Sequence, residues 1–378
     1  MTVNRERLAD TFRSLVTIDS ESRDELAVSG FIAGLFSGLG ATIVRDDSLA
    51  GTGSNSGNMV ARFEGRAGLD PLLIAAHMDT VSPGRGIAPV FKDGVFFSSG
   101  ETILGSDDKS AIAVMHEAMC VLKESGVDCC PLELVFTVCE EIGLVGAKHF
   151  DYGLLRANRG YVLDTSDPAS IVVQAPAANR LEFVIHGKDA HAGARPEDGV
   201  NAISVAARAI ARLEPGRVDP ETTYNIGTIE GGQASNIVPA KVIIRGEARS
   251  RNDDKLEKLT DQIVAAFRET VAEAAARCPH AGYPSLDVSV VSDFKSLNIP
   301  PDHPVVTTAV KAARTLGFEI RQAVSGGGSD ANIFFQHGIT AGVLGTGMKD
   351  IHSVRENVAL DDMVRAAELL VEIIKASA

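Results

Sequence analysis

Tryptophan is absent from this chain, which by itself excludes little. Cysteine is scarce and says more. The five cysteines, Cys120, Cys129, Cys130, Cys139 and Cys278, show neither zinc-type CxxC spacing nor an even framework. A disulfide-stapled secreted fold is therefore excluded, and the five read as reduced, mostly buried thiols of a cytoplasmic protein. Basic residues are in the minority: a formal charge of −14 argues against nucleic acid or an anionic membrane as a partner. No apolar run approaches the length of a membrane span. The opening MTVNRERLADTFRSLV is charged and amphipathic, with no signal-peptide core. Repeats and low-complexity tracts are lacking too.

What the chain does have suits an α/β protein: 45% hydrophobic residues, 36 glycines, and 378 residues, enough for two domains. Apolar runs at Leu72 to Ala76 and Leu132 to Val138 predict strands covered on both faces, and Tyr161 to Leu163 and Ala341 to Leu344 predict two more. Between them, Gly105 to Lys109 opens a helix, and further helices are predicted from Val305 to Leu316 and from Asp361 to Lys375. The character changes near Ala178. Strands at Leu181 to Ile185, Tyr224 to Ile229, Lys241 to Arg249 and Leu286 to Val291, with helices at Asn201 to Leu213 and Asp253 to Arg277, give a β-α-β-β-α-β order of their own. Ser296 to Pro304 reads as a linker back to α/β character. The expected architecture is a mostly parallel-sheet catalytic domain, residues 1–178 and 294–378, interrupted by an inserted α+β, ferredoxin-like lid, residues 179–293.

His77, Glu140, Glu141 and Asp164 each follow a predicted strand, and ligands of open α/β sheets bind beyond the carboxyl ends of strands. Asp107 joins from a helix start, and His352 follows the last strand. Two adjacent carboxylates at the end of an apolar strand are costly unless a cation sits there. They also point different ways, so one can bind a metal while the other moves a proton. Imidazole and carboxylate without thiolate suit zinc, cobalt or manganese. Singly, each has an ordinary use: His77 a satisfied strand-end histidine, Asp79 a cap, Asp107 and Asp108 charges at a helix start, Asp164 a turn residue. The ordered set carries the argument.

That set, HMD at 77–79, GSDDK at 105–109, CEEIGLVGA at 139–147, Asp164 and His352, resembles the dinuclear zinc peptidase family M20, and within it the tripeptidase-like (peptidase T) branch. The likeness continues through HAG at 191–193, GGQASNIVP at 231–239 and RGEARS at 245–250. It implies a hydrolase with two divalent ions, zinc with cobalt or manganese as alternatives. Asp107, rather than its neighbour Asp108, would bridge them, with a cis peptide after it. His77 and Asp164 would complete one site, and Glu141 and His352 the other. Glu140 would be the general base, Asp79 would orient His77, and His191 would stabilise the oxyanion. Asn236, Arg249, Ser329 and Asp330 would face the substrate, Ser329 standing where tripeptidases carry threonine. The implied activity is exopeptidase cleavage of short peptides, with an N-acyl-amino-acid deacylase as the alternative. A non-catalytic metal-binding paralogue fits less well, since a scaffold has no use for a free base at Glu140. The resemblance also implies a homodimer through the lid, and lid closure that carries His191 and Arg249 to the metals.

Overall fold

A computed structural model gives the fold and describes residues 2–377. The chain divides into two compact units. One comprises Met1–Gln174, Asn298–Ser325 and Ser329–Ala378; the other comprises Ala175–Leu297 and Gly326–Gly328.

The first unit is organised by the two apolar runs. Every residue of the strands Leu72–His77 and Leu132–Thr137 is buried, so both faces of the sheet are covered. They lie side by side and parallel, Leu72 opposite Leu132 and His77 opposite Thr137. Arg159–Thr165 joins parallel on the other side of Leu72–His77, and Thr340–Gly345 joins parallel beyond it. These four strands form the centre of a nine-stranded sheet. At one flank Met59–Phe63 and Thr42–Arg45 are antiparallel. The helices Arg5–Val16, Ser106–Ser125 and Leu360–Ala376 pack together beside the sheet. Four parallel neighbours send all their carboxyl ends to one rim, which is where the polar residues begin.

A four-stranded sheet within the same unit has no counterpart in the sequence reading. Pro89–Lys92 and Val95–Ser98 form a hairpin, and Asn357–Ala359 and Met348–Lys349 extend it. Its exposed Val90, Phe91 and Phe97 show no clean burial alternation. The short strand Leu297–Asn298 falls within the expected linker, and the strands Ser170–Ala175 and Arg321–Val324 have no counterpart in the sequence reading either.

The second unit is a five-stranded antiparallel sheet in the order Gly216–Asp219, Thr222–Gly231, Lys241–Ser250, Ala177–His186, Ser285–Phe294. Without the added Gly216–Asp219 strand this is the split β-α-β arrangement of ferredoxin-like folds. The helices Ala202–Ile210 and Asp253–Ala276 cover one face. Their core includes Phe183 stacked on Phe267, with ring centroids 3.8 Å apart. Asn201 and Asn252 cap the two helices, each accepting a first-turn backbone N–H.

Candidate metal centre

Local backbone devices deliver the rim residues. His77 is the last residue of its strand, and its ring Nδ1 lies 2.9 Å from the main-chain carbonyl of Asp79. That bond places the proton on Nδ1 and leaves Nε2 to coordinate, 3.1 Å from Asp107 Oδ1. The Asp79 carboxylate stands farther from the ring, at 3.5 Å. Its oxygens accept instead from the backbone N–H groups of Glu140 (2.9 Å) and Glu141 (3.2 Å), and from Ser22 Oγ (2.6 Å). Asp79 thus ties the Glu140–Glu141 turn to the strand end that carries His77.

The Glu140–Glu141 turn is also held from behind. Asn58 accepts from the Val138 N–H and donates to the Gly146 carbonyl, both at 3.0 Å. Gly146 must be glycine, since a Cβ there would come within 1.9 Å of the Val138 carbonyl oxygen. Buried Glu25 accepts from the Cys139 N–H at 3.0 Å and from its thiol at 3.3 Å. Burial pushes that thiol well above the ordinary range, so Cys139 is a filler and not a nucleophile. Asp107 and Asp108 interrupt the first turn of the Ser106–Ser125 helix with non-helical backbone, and the peptide between them is cis.

These devices bring the acids together. His77, Asp107 and Glu141 each offer a ligand atom within 4.8 Å of the others, and so do Asp107, Asp108 and Asp164. Asp107 belongs to both groups. His352, half exposed on its loop, reaches the same place: Nε2 is 3.2 Å from Asp107 and 3.0 Å from Glu141. In these two groups His77 lies with Glu141, and Asp164 with Asp108, around the shared Asp107. Asp108 also accepts the His77 backbone N–H at 3.2 Å through Oδ2, while its buried Oδ1 has no hydrogen-bond partner among the described residues.

The electrostatics are those of an anionic pocket. Burial pushes Asp108, Glu140 and Asp164 well above the ordinary carboxylate range, and Glu141 upward too. Burial opposes the charge on Asp107 as well, but bonds from His352 and His77 hold it below that range. The imidazoles move the other way. Asp107 and Glu141 raise His352 to about 10; at His77, burial is outweighed by Asp107 and Asp79. Orphaned buried oxygens, a freed imidazole Nε2 and crowded carboxylates are the donor set that hard or borderline divalent cations take. The residues therefore fit a metal pair. Glu140 differs from its neighbours: it is buried, yet among the described residues it belongs to neither ligand group.

Asp330 lies deeper than a substrate contact was expected to. It is 3% exposed, accepts from Thr137 Oγ1 at 2.5 Å, and has a second oxygen without a hydrogen-bond partner among the described residues. Burial, partly opposed by Thr137, lifts it to about 6. Ser329 precedes the helix Asp330–Gln336 as its N-cap, its N–H donating to Asn332 Oδ1 at 3.1 Å. In the second unit, His191 and Asn236 sit on loops that pair. The Ala192 N–H donates to the Asn236 carbonyl and the Val238 N–H to the Ala190 carbonyl, both at 2.9 Å. Exposed His191 takes the N–H groups of Gly193 and Ala194 on Nδ1, which leaves the proton on Nε2. Arg249 is paired with Glu247 at 2.9 Å, and its buried Nε has no hydrogen-bond partner among the described residues. Asp79, Glu25 and Asn58 act through backbone groups distant in sequence, and only Asp79 carried a local signal.

A model of peptidase family M20/M25/M40 matches residues 73–376, a span holding every rim residue named above. The chain belongs to that family. It is accordingly a peptidase. An aminopeptidase PepT of Bacillus cereus ATCC 10987 is 40% identical, with a TM-score of 0.89 and 99% of both chains covered. A tripeptidase of Staphylococcus aureus Mu50 is 36% identical, with a TM-score of 0.94, covering 100% of this chain and 99% of that one. An uncharacterized Bacillus subtilis protein, YqjE, is 39% identical over 377 residues and 100% of each chain. The likeness to solved M20 structures extends over both units, and the fold and the family expected from the motifs are both shown.

Proposed function

We propose that this M20 peptidase is a metal-dependent exopeptidase that removes residues from short peptides in the manner of a tripeptide aminopeptidase. The observation that carries the reading is the pairing of a crowded ligand set with one buried carboxylate, Glu140, left out of it. Likeness to a PepT aminopeptidase and a tripeptidase over almost the whole chain supports the substrate class.

In this reading Asp107 would be shared between two divalent ions, with His77 and Asp164 holding one and Glu141 and His352 the other. Zinc is the expected metal, with cobalt or manganese as alternatives. When bound, such a pair supplies Lewis acidity to the scissile carbonyl and acidifies the attacking water. Glu140 would take a proton from the attacking water and hand it to the leaving amine; its raised proton affinity, set by burial, suits both halves of the transfer. Asp79 keeps Glu140 and Glu141 in register by holding both their N–H groups. His191 offers an Nε2–H to the developing oxyanion. Asn236 and Arg249 contact the peptide, and Ser329 and Asp330 shape the end of its site.

Homodimerisation through the Ala175–Leu297 unit is part of the proposal. Its edge strands, Gly216–Asp219 and Ser285–Phe294, each have an unpaired side that a second copy can extend. Cytoplasmic residence suits five thiols that form no disulfide among the described residues, and no described helix is long and apolar enough to cross a membrane. The test is a substrate panel on zinc-loaded protein. Free tripeptides should be cleaved at the amino end, with N-acyl amino acids and amino-blocked tripeptides turned over far more slowly. Preference for the N-acyl compounds would overturn the exopeptidase assignment in favour of a deacylase.

A further inference from the structure

Glu356 lies four residues beyond His352 and is 1% exposed. Its carboxylate is saturated by one stretch of chain about 250 residues away. Oε2 accepts the N–H groups of Leu104 and Gly105, both at 2.8 Å. Oε1 accepts Ser106 Oγ at 2.6 Å and the Asp107 N–H at 3.0 Å. All four donors lead into or belong to the turn that presents Asp107. Two of the backbone donors sit at the start of the Ser106–Ser125 helix, where N–H groups have no intrahelical acceptor and a negative charge is favoured.

The backbone of Glu356 is tied to the residue that follows His352. The Glu356 N–H donates to the Ser353 carbonyl at 3.0 Å, closing a turn directly after the histidine. That turn belongs to the loop between the paired strands Met348–Lys349 and Asn357–Ala359. His352 has a left-handed φ of 59° and a side chain 50% exposed, so packing does little to hold it. Two links therefore join the same pair of loops. One lies at the rim, His352 Nε2 to Asp107 at 3.2 Å, and the other is buried beneath it through Glu356.

We infer that Glu356 is a positioning residue: its buried carboxylate fixes the spacing between the His352 loop and the Asp107 turn, so that both ligands are in place before a metal arrives. The inference rests on the metal-pair reading above. A carboxylate is required because both oxygens each accept two donors. Glutamine would turn an NH2 toward one donor pair whichever way its amide is flipped. Outer partners of ligating groups commonly change metal affinity about 10–100-fold when removed.

The experiment is calorimetric titration of metal-free protein with zinc, on wild type, Glu356→Gln and Glu133→Gln, with melting curves of each. Glu133 is the control, a fully buried carboxylate that also clamps backbone, accepting from Arg156 at 2.9 Å and Ala157 at 3.0 Å, but at the far end of its strand from the rim. Glu356→Gln should weaken the binding of at least one zinc about 10–100-fold, and excess zinc should restore most of kcat. Glu133→Gln should melt lower and bind zinc as wild type does. Should Glu356→Gln not fold, Glu356→Asp, which keeps the charge but shortens the reach, replaces it with the same readout. Unchanged zinc affinity in a variant that merely melts lower would overturn the inference, as would a kcat that stays low at saturating zinc. Wild type that takes up no zinc would instead sink the metal-pair reading, and this inference with it.

Discussion

The two units handle charge in opposite ways. In the Ala175–Leu297 unit the charges lie on the outside: Arg245 bridges Glu182 and Glu230, and Arg180 meets Asp293, all on solvent-exposed guanidiniums worth little individually. Its interior is aliphatic and aromatic. In the larger unit, carboxylates go inside. Asp79, Asp108, Glu117, Glu133 and Glu356 are each at most 1% exposed, and the rim acids crowd around Asp107. A fold seeking stability alone would resemble the smaller unit throughout. The contrast shows where stability is given up for chemistry, and it separates two kinds of buried acid: those gripping backbone N–H groups and those left with free oxygens facing one another.

Removing the base breaks the comparison most sharply. Glu140→Gln should lower kcat for tripeptide hydrolysis about 10²–10⁴-fold while leaving the bound metal unchanged, checked by steady-state kinetics beside elemental analysis. A loss of metal would make Glu140 a ligand and not a base. The smaller unit should respond through packing alone. Phe267→Ala, which deletes the ring stacked on Phe183, should destabilise that unit by about 3–5 kcal/mol in denaturant unfolding, with metal content intact because all the proposed ligands belong to the other unit.

The pH response sharpens the contrast further. Burial, helped by the charge of Arg7, holds His116 of the larger unit down to about 4 from an ordinary 6.5. The unfolded chain then binds the proton first, so stability is complete above about 6.5 and is lost as pH falls toward 4. At about 1.4 kcal/mol per unit the loss is on the order of 3 kcal/mol. Unfolding titrations between pH 7 and 4 should show a shallower decline for His116→Gln than for wild type, and parallel curves would rule the group out.

The contrast also explains what could be read from the chain beforehand. Leu72–Ala76 and Leu132–Val138 announce buried strands through their composition, and the polar residues that end them stand out against those runs. His77, Glu140, Glu141 and Asp164 were legible for that reason. Glu25, Asn58 and Glu356 were not, since a side chain that accepts from backbone distant in sequence leaves no periodic trace near itself. The bond that holds Asp330 was not legible either, because the Thr137 hydroxyl that donates to it belongs to a strand 193 positions away. The hairpin Pro89–Ser98 was missed because Phe91 and Phe97 remain exposed, with only Phe96 buried, which blurs the alternation a half-buried strand shows.

The most direct measurement is the zinc content per chain after reconstitution of metal-free protein, compared between wild type and Asp107→Asn. With Asp107 shared by both ligand groups, wild type should hold two ions and the variant at most one. A wild type that holds none, or an Asp107→Asn protein that still holds two, would contradict the account.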